Sequence, residues 1–187
     1  MKIRKVLFML LISISMTLKS QEKNIDIITS NIIWTGKEIT TKIHFGSLKF
    51  KKGNISIDNG LITAGEFIVD MQTLENHDLS GGSKSYLEKH LRSDDFFSVE
   101  KYPTASLKVI SSEKVTPEKL SVLGELTIKG ITNNINFDLL FKEEGAIAEL
   151  IFDRSKYNIK FRSSTFFDEL GDKLIYDDIE LKVDLVF

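Results

Sequence analysis

Cysteine is absent from this 187-residue chain, and proline occurs only at Pro103 and Pro117. Without cysteine there is no disulfide framework, no thiolate nucleophile and no cysteine-ligated zinc. No low-complexity linker divides the chain, and no repeat of about 20 to 50 residues marks a solenoid or propeller. Charge of neither sign dominates, with 25 Lys and Arg against 27 Asp and Glu. A nucleic-acid partner, which needs a clustered basic face to neutralise phosphates, is therefore not expected.

Catalytic signatures are scarce too. His44, His77 and His90 do not form HExxH, and His90 falls on the apolar face of an expected helix, so no metal site is expected. Neither G-x-S-x-G nor a phosphate-cradling glycine loop occurs. The carboxylate pairs Asp94-Asp95 and Asp177-Asp178 are neighbours in sequence, and neighbours in extended chain point apart. Asp94-Asp95 reads better as a turn or cap than as an acid–base pair. No catalytic residue is assigned.

The one long apolar run lies at the N-terminus. Lys2, Arg4 and Lys5 precede an apolar stretch from Val6 to Leu18, short for a bilayer span and placed where a secretory signal sits. Residues 1–20 are expected to be a signal peptide cleaved between Ser20 and Gln21, the alternative being an uncleaved anchor. No cysteine follows for lipoprotein processing. Removal of Lys2, Arg4, Lys5 and Lys19 leaves 21 basic residues against 27 acidic ones, a net charge of about −6. Residues 21–187 are then expected to form a single periplasmic or secreted domain, with no stable membrane span after processing.

What remains is dense in strand signals. NIDIITS reads as a strand, WTGK (Trp34–Lys37) as a turn, and IHFGSLKF with NISID as further strands. Asn59-Gly60, between ISID and LITAGEFIV, is the strongest short hairpin signal. Glu143-Glu144-Gly145 marks a second hairpin, between NFDLLF and AIAELIFD. TASLKVI, VLGELTIKG and ITNNINFDLLF fill the interval. In the C-terminal segment Ile179, Leu181, Val183, Leu185 and Phe187 alternate with Asp178, Glu180, Lys182, Asp184 and Val186, a half-buried strand. One helix is expected over about Ser83–Leu91, after Gly81-Gly82 and capped by Ser80 or Ser83. Ser83, Tyr86, Leu87, His90 and Leu91 share one of its faces. The fold class is all-β with one or two short helices: a closed antiparallel up-and-down barrel of about eight strands, able to hold an apolar molecule.

Specific motifs carry a family likeness. HL-x-S-x-DFF runs from His90 to Phe97, KYP from Lys101 to Pro103 and GELTIKGIT from Gly124 to Thr132. They lie in order with GEFIVDMQTL, FDRSKYNIKFRSS and LGDKLIYDDIELKVDLV. The chain resembles the YceI-like family of exported bacterial proteins over essentially the whole of residues 21–187. The resemblance implies a lipocalin-like barrel with a hydrophobic tunnel for polyisoprenoids, isoprenoid quinones or related lipids, and implies no catalytic residue set.

Alternation supplies lumen candidates: Ile55, Ile57, Phe67, Val69, Ala105, Leu107, Val109, Leu126 and Ile128. To these are added Ile135, Phe137, Leu139, Phe141, Ile179, Leu181, Val183 and Leu185. The same pattern describes a barrel filled by its own side chains. The 13 Phe, against one Trp and four Tyr, favour a cavity, since Phe offers aromatic surface without a hydroxyl to satisfy. Phe96, Phe97 and Tyr102 are candidates for an entrance lid or a hydrophobic plug, with Phe166 and Phe167 as a matching pair on a loop. Arg154 and Arg162 are head-group candidates, unless they pair with Asp153, Asp168 or Asp172. The expectation is a non-enzymatic protein that carries, stores or sequesters an isoprenoid-type lipid or quinone and requires no other cofactor. The alternatives are an isomerase or hydrolase acting on a small apolar substrate in the same cavity, and a solid-barrel interaction protein. An open barrel mouth or sheet edge leaves a homodimer open as an assembly.

Overall fold

The computed structural model describes residues 21–187; the expected export segment and its cleavage point lie outside the described residues. In chain order the elements are β1 (Gln21–Asn24), β2 (Asn31–Lys37), β3 (Ile43–Asp58), β4 (Leu61–Asn76), α1 (Gly81–Arg92), β5 (Thr104–Lys114), β6 (Lys119–Ile128), β7 (Ile131–Lys142), β8 (Gly145–Asp153) and β9 (Asp178–Leu185). From β2 onward each strand pairs antiparallel with the next, and β9 returns to pair with β2. Eight strands thus close into an up-and-down barrel, and closure leaves their inward faces one continuous apolar interior. The ninth, β1, pairs with the part of β3 beyond the end of β2, matching Gln21 with Ile57 and Asn24 with Asn54. β1 and β2 are therefore two halves of one interrupted strand.

That interruption corrects the reading of NIDIITS as a strand. The Asp26 carboxylate accepts from the Ile28 N–H at 2.8 Å, and the Asp26 carbonyl accepts from the Ser30 N–H at 2.9 Å. A local turn held by an aspartate side chain outcompetes the ladder here. WTGK is likewise not a turn. Trp34 pairs with Gly46 on one side and Leu181 on the other, well inside β2. The chain reverses instead over Glu38–Lys42, with Thr41 at φ 70°.

β3 and β4 are 16 residues each, too long to run straight around so small a barrel. Register shifts at Ser47/Lys49, Phe50/Lys52 and Ser56/Ile57 bend the pair. Asn59-Gly60 closes it with both residues at positive φ (51° and 72°), and Lys129-Gly130 (51° and 73°) repeats the device between β6 and β7. At Gly46 the strands approach so closely that a Cβ would stand 1.7 Å from the Glu75 carbonyl oxygen and 2.8 Å from the Trp34 ring.

The helix starts two residues before the expected Ser83. Ser80 is its N-cap in extended conformation, but its hydroxyl makes no capping bond. The helix is fastened from its other groups. Glu88 accepts from the Asn76 N–H at 2.9 Å, and the Arg92 guanidinium donates to the Leu74 carbonyl. Leu87, His90 and Leu91 face the barrel, whereas Tyr86, expected beside them, is 77% exposed. Tyr86 precedes Leu87 by one residue, which is about 100° around the helix.

Gly46→Ala is expected to lower stability by about 2 kcal/mol or more, since backbone must move to admit the methyl. Gly82→Ala, where a Cβ meets nothing within 4 Å, is expected to be neutral or to stabilise by up to about 1 kcal/mol. Urea unfolding midpoints of the two variants check both.

Candidate functional site

The barrel encloses a cavity of about 180 Å³. Its wall takes Leu48, Phe50 and Ile55 from β3, and Ile62, Phe67, Val69, Met71 and Leu74 from β4. β5 contributes Ala105, Leu107 and Val109, β6 contributes Val122, Leu126 and Ile128, and β7 contributes Phe137 and Leu139. β8 adds Ala148, Leu150 and Phe152, β9 adds Ile179, Leu181, Val183 and Leu185, and β2 adds Ile32 and Trp34. In β2 and in β5 to β9 these residues follow the period-two alternation that sends every second side chain inward, and in β3 and β4 the register shifts interrupt it.

Of the lumen candidates, Ile57, Ile135 and Phe141 do not reach this cavity. Ile57 and Phe141 lie toward the Asn59-Gly60 end and pack against the core, and Ile135 is buried within it. That end is filled by side chains such as Ile55, Ile62 and Leu120, all 0–1% exposed. The sequence reading leaves out the contributions of β2, β8 and the start of β3, as well as Ile62, Met71, Leu74 and Val122. WTGK has the composition of a turn, which hides Trp34, and the alternation in AIAELIFD is the signal that points β8 to the lumen.

The helix end is built differently. Leu87 and Leu91, with Phe96 and Phe97 from the connection to β5, cover the cavity. The Phe96 and Phe97 rings meet edge-on at 4.9 Å between centroids. The Lys129 ammonium donates to the Phe96 carbonyl at 2.9 Å and holds the β6–β7 turn against this cover. Burial pulls that ammonium below its ordinary pKa, with Asp94 and Asp95 opposing the shift. Tyr102 packs beside Gly130 and does not reach the cavity. Phe166 and Phe167 are 38% and 49% exposed on the surface, away from the cavity, which corrects their reading as a matching half of the lid. They sit in a loop whose turns are tied by Ser163, with its carbonyl accepting from both N–H groups, so their rings are turned outward.

Polar side chains on the wall are few. Lys37, Glu38 and His44 gather at the β2–β3 turn, and they pair with one another and with neighbours. His44 Nδ1 lies 2.8 Å from Asp78 Oδ2, its Nε2 lies 3.9 Å from Glu38 Oε1, and Lys37 pairs with Glu180. His90 on α1 and Ser106 on β5 complete the set. The candidate acid–base carboxylates lie elsewhere: Asp94 and Asp95 are exposed, and Asp177 is bound to Arg154, Ser163 and Thr165.

Arg154 is not available to a ligand head-group. Its side chain is 0% exposed. Nε donates to the Tyr176 carbonyl, Nη1 to those of Ile159 and Phe161, and Nη2 to that of Ile175, over 2.9–3.2 Å. Nη2 also lies 3.1 Å from Asp177 Oδ1. Its acidic partner is thus Asp177 and not Asp153, Asp168 or Asp172. Burial draws the guanidinium below its ordinary pKa and the two aspartates, 177 and 153, oppose this. Arg162, at φ 51°, lays its guanidinium over the Phe161 ring at 5.1 Å. It lines a surface groove with Asp94, Asp95, Lys129, Lys160 and Phe167, and does not reach the cavity.

Fold and site together define a small closed barrel with an almost wholly carbon-lined interior, covered at one end by a helix and two phenylalanines. The chain belongs to the YceI-like family: the YceI-like domain model matches residues 23–187. A UPF0312 protein of Pseudomonas putida is 36% identical over 104 residues, covering 54% of this chain and 50% of that protein. A UPF0312 protein of Staphylococcus aureus is 30% identical over 111 residues, covering 54% of this chain and 60% of that protein. The chain thus spans about half the length of the first of these relatives. Among solved structures, Burkholderia cenocepacia BcnA superposes with a TM-score of 0.66 at 18% identity, over 87% of this chain and 99% of that one. A polyisoprenoid binding domain from Saccharophagus degradans superposes with a TM-score of 0.57 at 12% identity, over 89% and 97%. At these identities the structural neighbours establish the fold.

Arg154→Met is expected to cost about 3 kcal/mol or more, because it strands the Asp177 carboxylate and four carbonyls. It should also open the segment 159–177 to limited proteolysis at native temperature. Arg162→Ala, which removes a half-buried side chain stacked on one ring, is expected to change stability by less than about 1 kcal/mol. Thermal melts and protease digestion of both variants are the check.

Proposed function

We propose that this protein binds an isoprenoid-type amphiphile, a polyprenol, quinone or similar lipid, with its apolar tail in the barrel cavity. The binding serves transport, storage or sequestration of the lipid outside the cytoplasm. The observation that carries this reading is the wall itself: side chains from all eight barrel strands converge on an empty space, and nearly all are hydrocarbon. Such a space has little to offer a polar substrate and much to offer a prenyl chain. The description of the Saccharophagus degradans neighbour as a polyisoprenoid binding domain supports the same class of ligand.

The energetics and the size set the mode of binding. Each buried methylene contributes about 0.8 kcal/mol, so about ten reach the ~8 kcal/mol of micromolar affinity before ordering costs. The cavity of about 180 Å³ is near the ~150 Å³ engineered cavity that takes benzene and below the ~300 Å³ of common ligand sites. A long tail therefore needs more room than the closed barrel gives. The cover formed by α1, Phe96 and Phe97 is the movable wall. It packs on the barrel through side chains, whereas the strands are locked by backbone hydrogen bonds. Among the described residues no helix is long and apolar enough to cross a membrane.

Native mass spectrometry of the protein purified from its own cells tests this reading. A stoichiometric adduct whose extracted mass matches a prenol or quinone is the expected result. A bare mass that does not shift on addition of prenols or quinones would reject lipid binding.

A further inference from the structure

His90 stands apart from the other polar groups of the cavity. It lines the wall from α1, with its ring 4.3 Å from that of Phe161 and 6.0 Å from that of Phe96. Its Nε2 is shielded from solvent and has no hydrogen-bond partner among the described residues. An unpaired buried nitrogen costs about 1–3 kcal/mol, so a native structure that keeps one calls for a reason, and a ligand contact is such a reason. Asp177 Oδ1, the other such atom, has its charge partner Arg154 at 3.1 Å. His90 has none. Asp95 and Arg162 are the charged groups nearest in influence, acting in opposite senses, while burial favours the neutral ring.

Of the nearby cations, Arg162 lines the surface groove and does not reach the cavity, and the others are already committed. Arg154 is saturated by four carbonyls and Asp177, and Lys37 is paired with Glu180. A phosphate brought into the cavity would meet carbon walls, the His90 imidazole, the Ser106 side chain and, at the β2–β3 turn, charges that are already paired, and an anion desolvated without a partner is strongly disfavoured. A single hydroxyl or carbonyl oxygen asks for no more than one hydrogen bond.

We propose that His90 is the head-group contact of the cavity, and that it selects neutral amphiphiles bearing one hydroxyl or carbonyl oxygen over phosphorylated ones. The inference rests on the lipid-binding reading and deepens it. The ligand's oxygen lies at the helix-covered end beside His90 and Phe96, and its tail runs toward the Asn59-Gly60 end.

The test uses three probes with one tail: farnesol, farnesene and farnesyl diphosphate, titrated calorimetrically into wild type, His90→Leu and His90→Gln. Wild type is expected to bind farnesol about tenfold tighter than farnesene, the worth of one well-made hydrogen bond, and to bind the diphosphate more weakly than the alcohol. His90→Leu should erase the alcohol's advantage while farnesene binds as well or better. His90→Gln, which keeps a donor and an acceptor, should retain part of it. Equal affinity for alcohol and hydrocarbon in wild type, an undiminished ratio in folded His90→Leu, or preference for the diphosphate would each overturn the proposal while leaving the lipid-binding reading standing. The wild-type comparison needs no variant, so loss of folding in a variant leaves it decisive. Failure of all three probes to bind wild type would overturn both.

Discussion

A buried positive charge holds the working end of this barrel together. The Arg154 guanidinium, from the short turn that follows β8, is buried and gathers the carbonyls of Ile159, Phe161, Ile175 and Tyr176 with the carboxylate of Asp177. A buried arginine is tolerable only when every donor is satisfied, so the loop from β8 to β9 must fold around it in one way. The same guanidinium lies 5.4 Å from the centre of the Phe96 ring. Phe96 in turn touches Phe97 and His90. A continuous line of contacts thus runs from an ion pair outside the lumen to the aromatic cover of the cavity and to the helix.

The two ends of the barrel have different duties. At the Asn59-Gly60 end, tight turns and fully buried aliphatic residues fill the interior and close it. At the helix end the strands stop at different heights, the β2–β3 turn brings paired charges to the rim, and a separate segment, α1 with Phe96 and Phe97, covers the cavity. The strand interior is held by backbone hydrogen bonds that a ligand cannot disturb. The cover is fastened to the barrel by the side chains of Glu88, Arg92 and Lys129. On the proposed lipid-binding reading, this cover is the face that would yield to admit a long tail.

Much of the fold was legible because its signals are local and periodic. The alternation of Ile179, Leu181, Val183 and Leu185 placed β9 and its inward face together, and Asn59-Gly60 marked its hairpin without help from the rest of the chain. Where local and tertiary terms compete, the sequence misled. Asp26 bends NIDIITS out of the sheet through its own side chain, and Trp34-Thr35-Gly36-Lys37 has turn composition but is paired on both edges. Tyr86 shares helical spacing with Leu87 only loosely, and one residue's rotation sends it to solvent. Arg154 was the least legible of all. Nothing in DRSKY distinguishes a guanidinium bound for the core from one bound for a ligand, because its partners lie up to 23 residues away and are mostly carbonyls that no side-chain pattern reveals.

Trp34 offers the most direct test that the cavity is a binding site. It is the only tryptophan in the chain, it is 8% exposed, and it lines the cavity with its indole N–H held by the Glu75 carbonyl at 3.1 Å. A prenylated benzoquinone inside the barrel would lie against it and quench its emission. The account predicts saturable quenching at about one quinone per chain, reversed by an excess of a prenol that carries no quinone. Weak, linear quenching that never saturates and is indifferent to the prenol would contradict it.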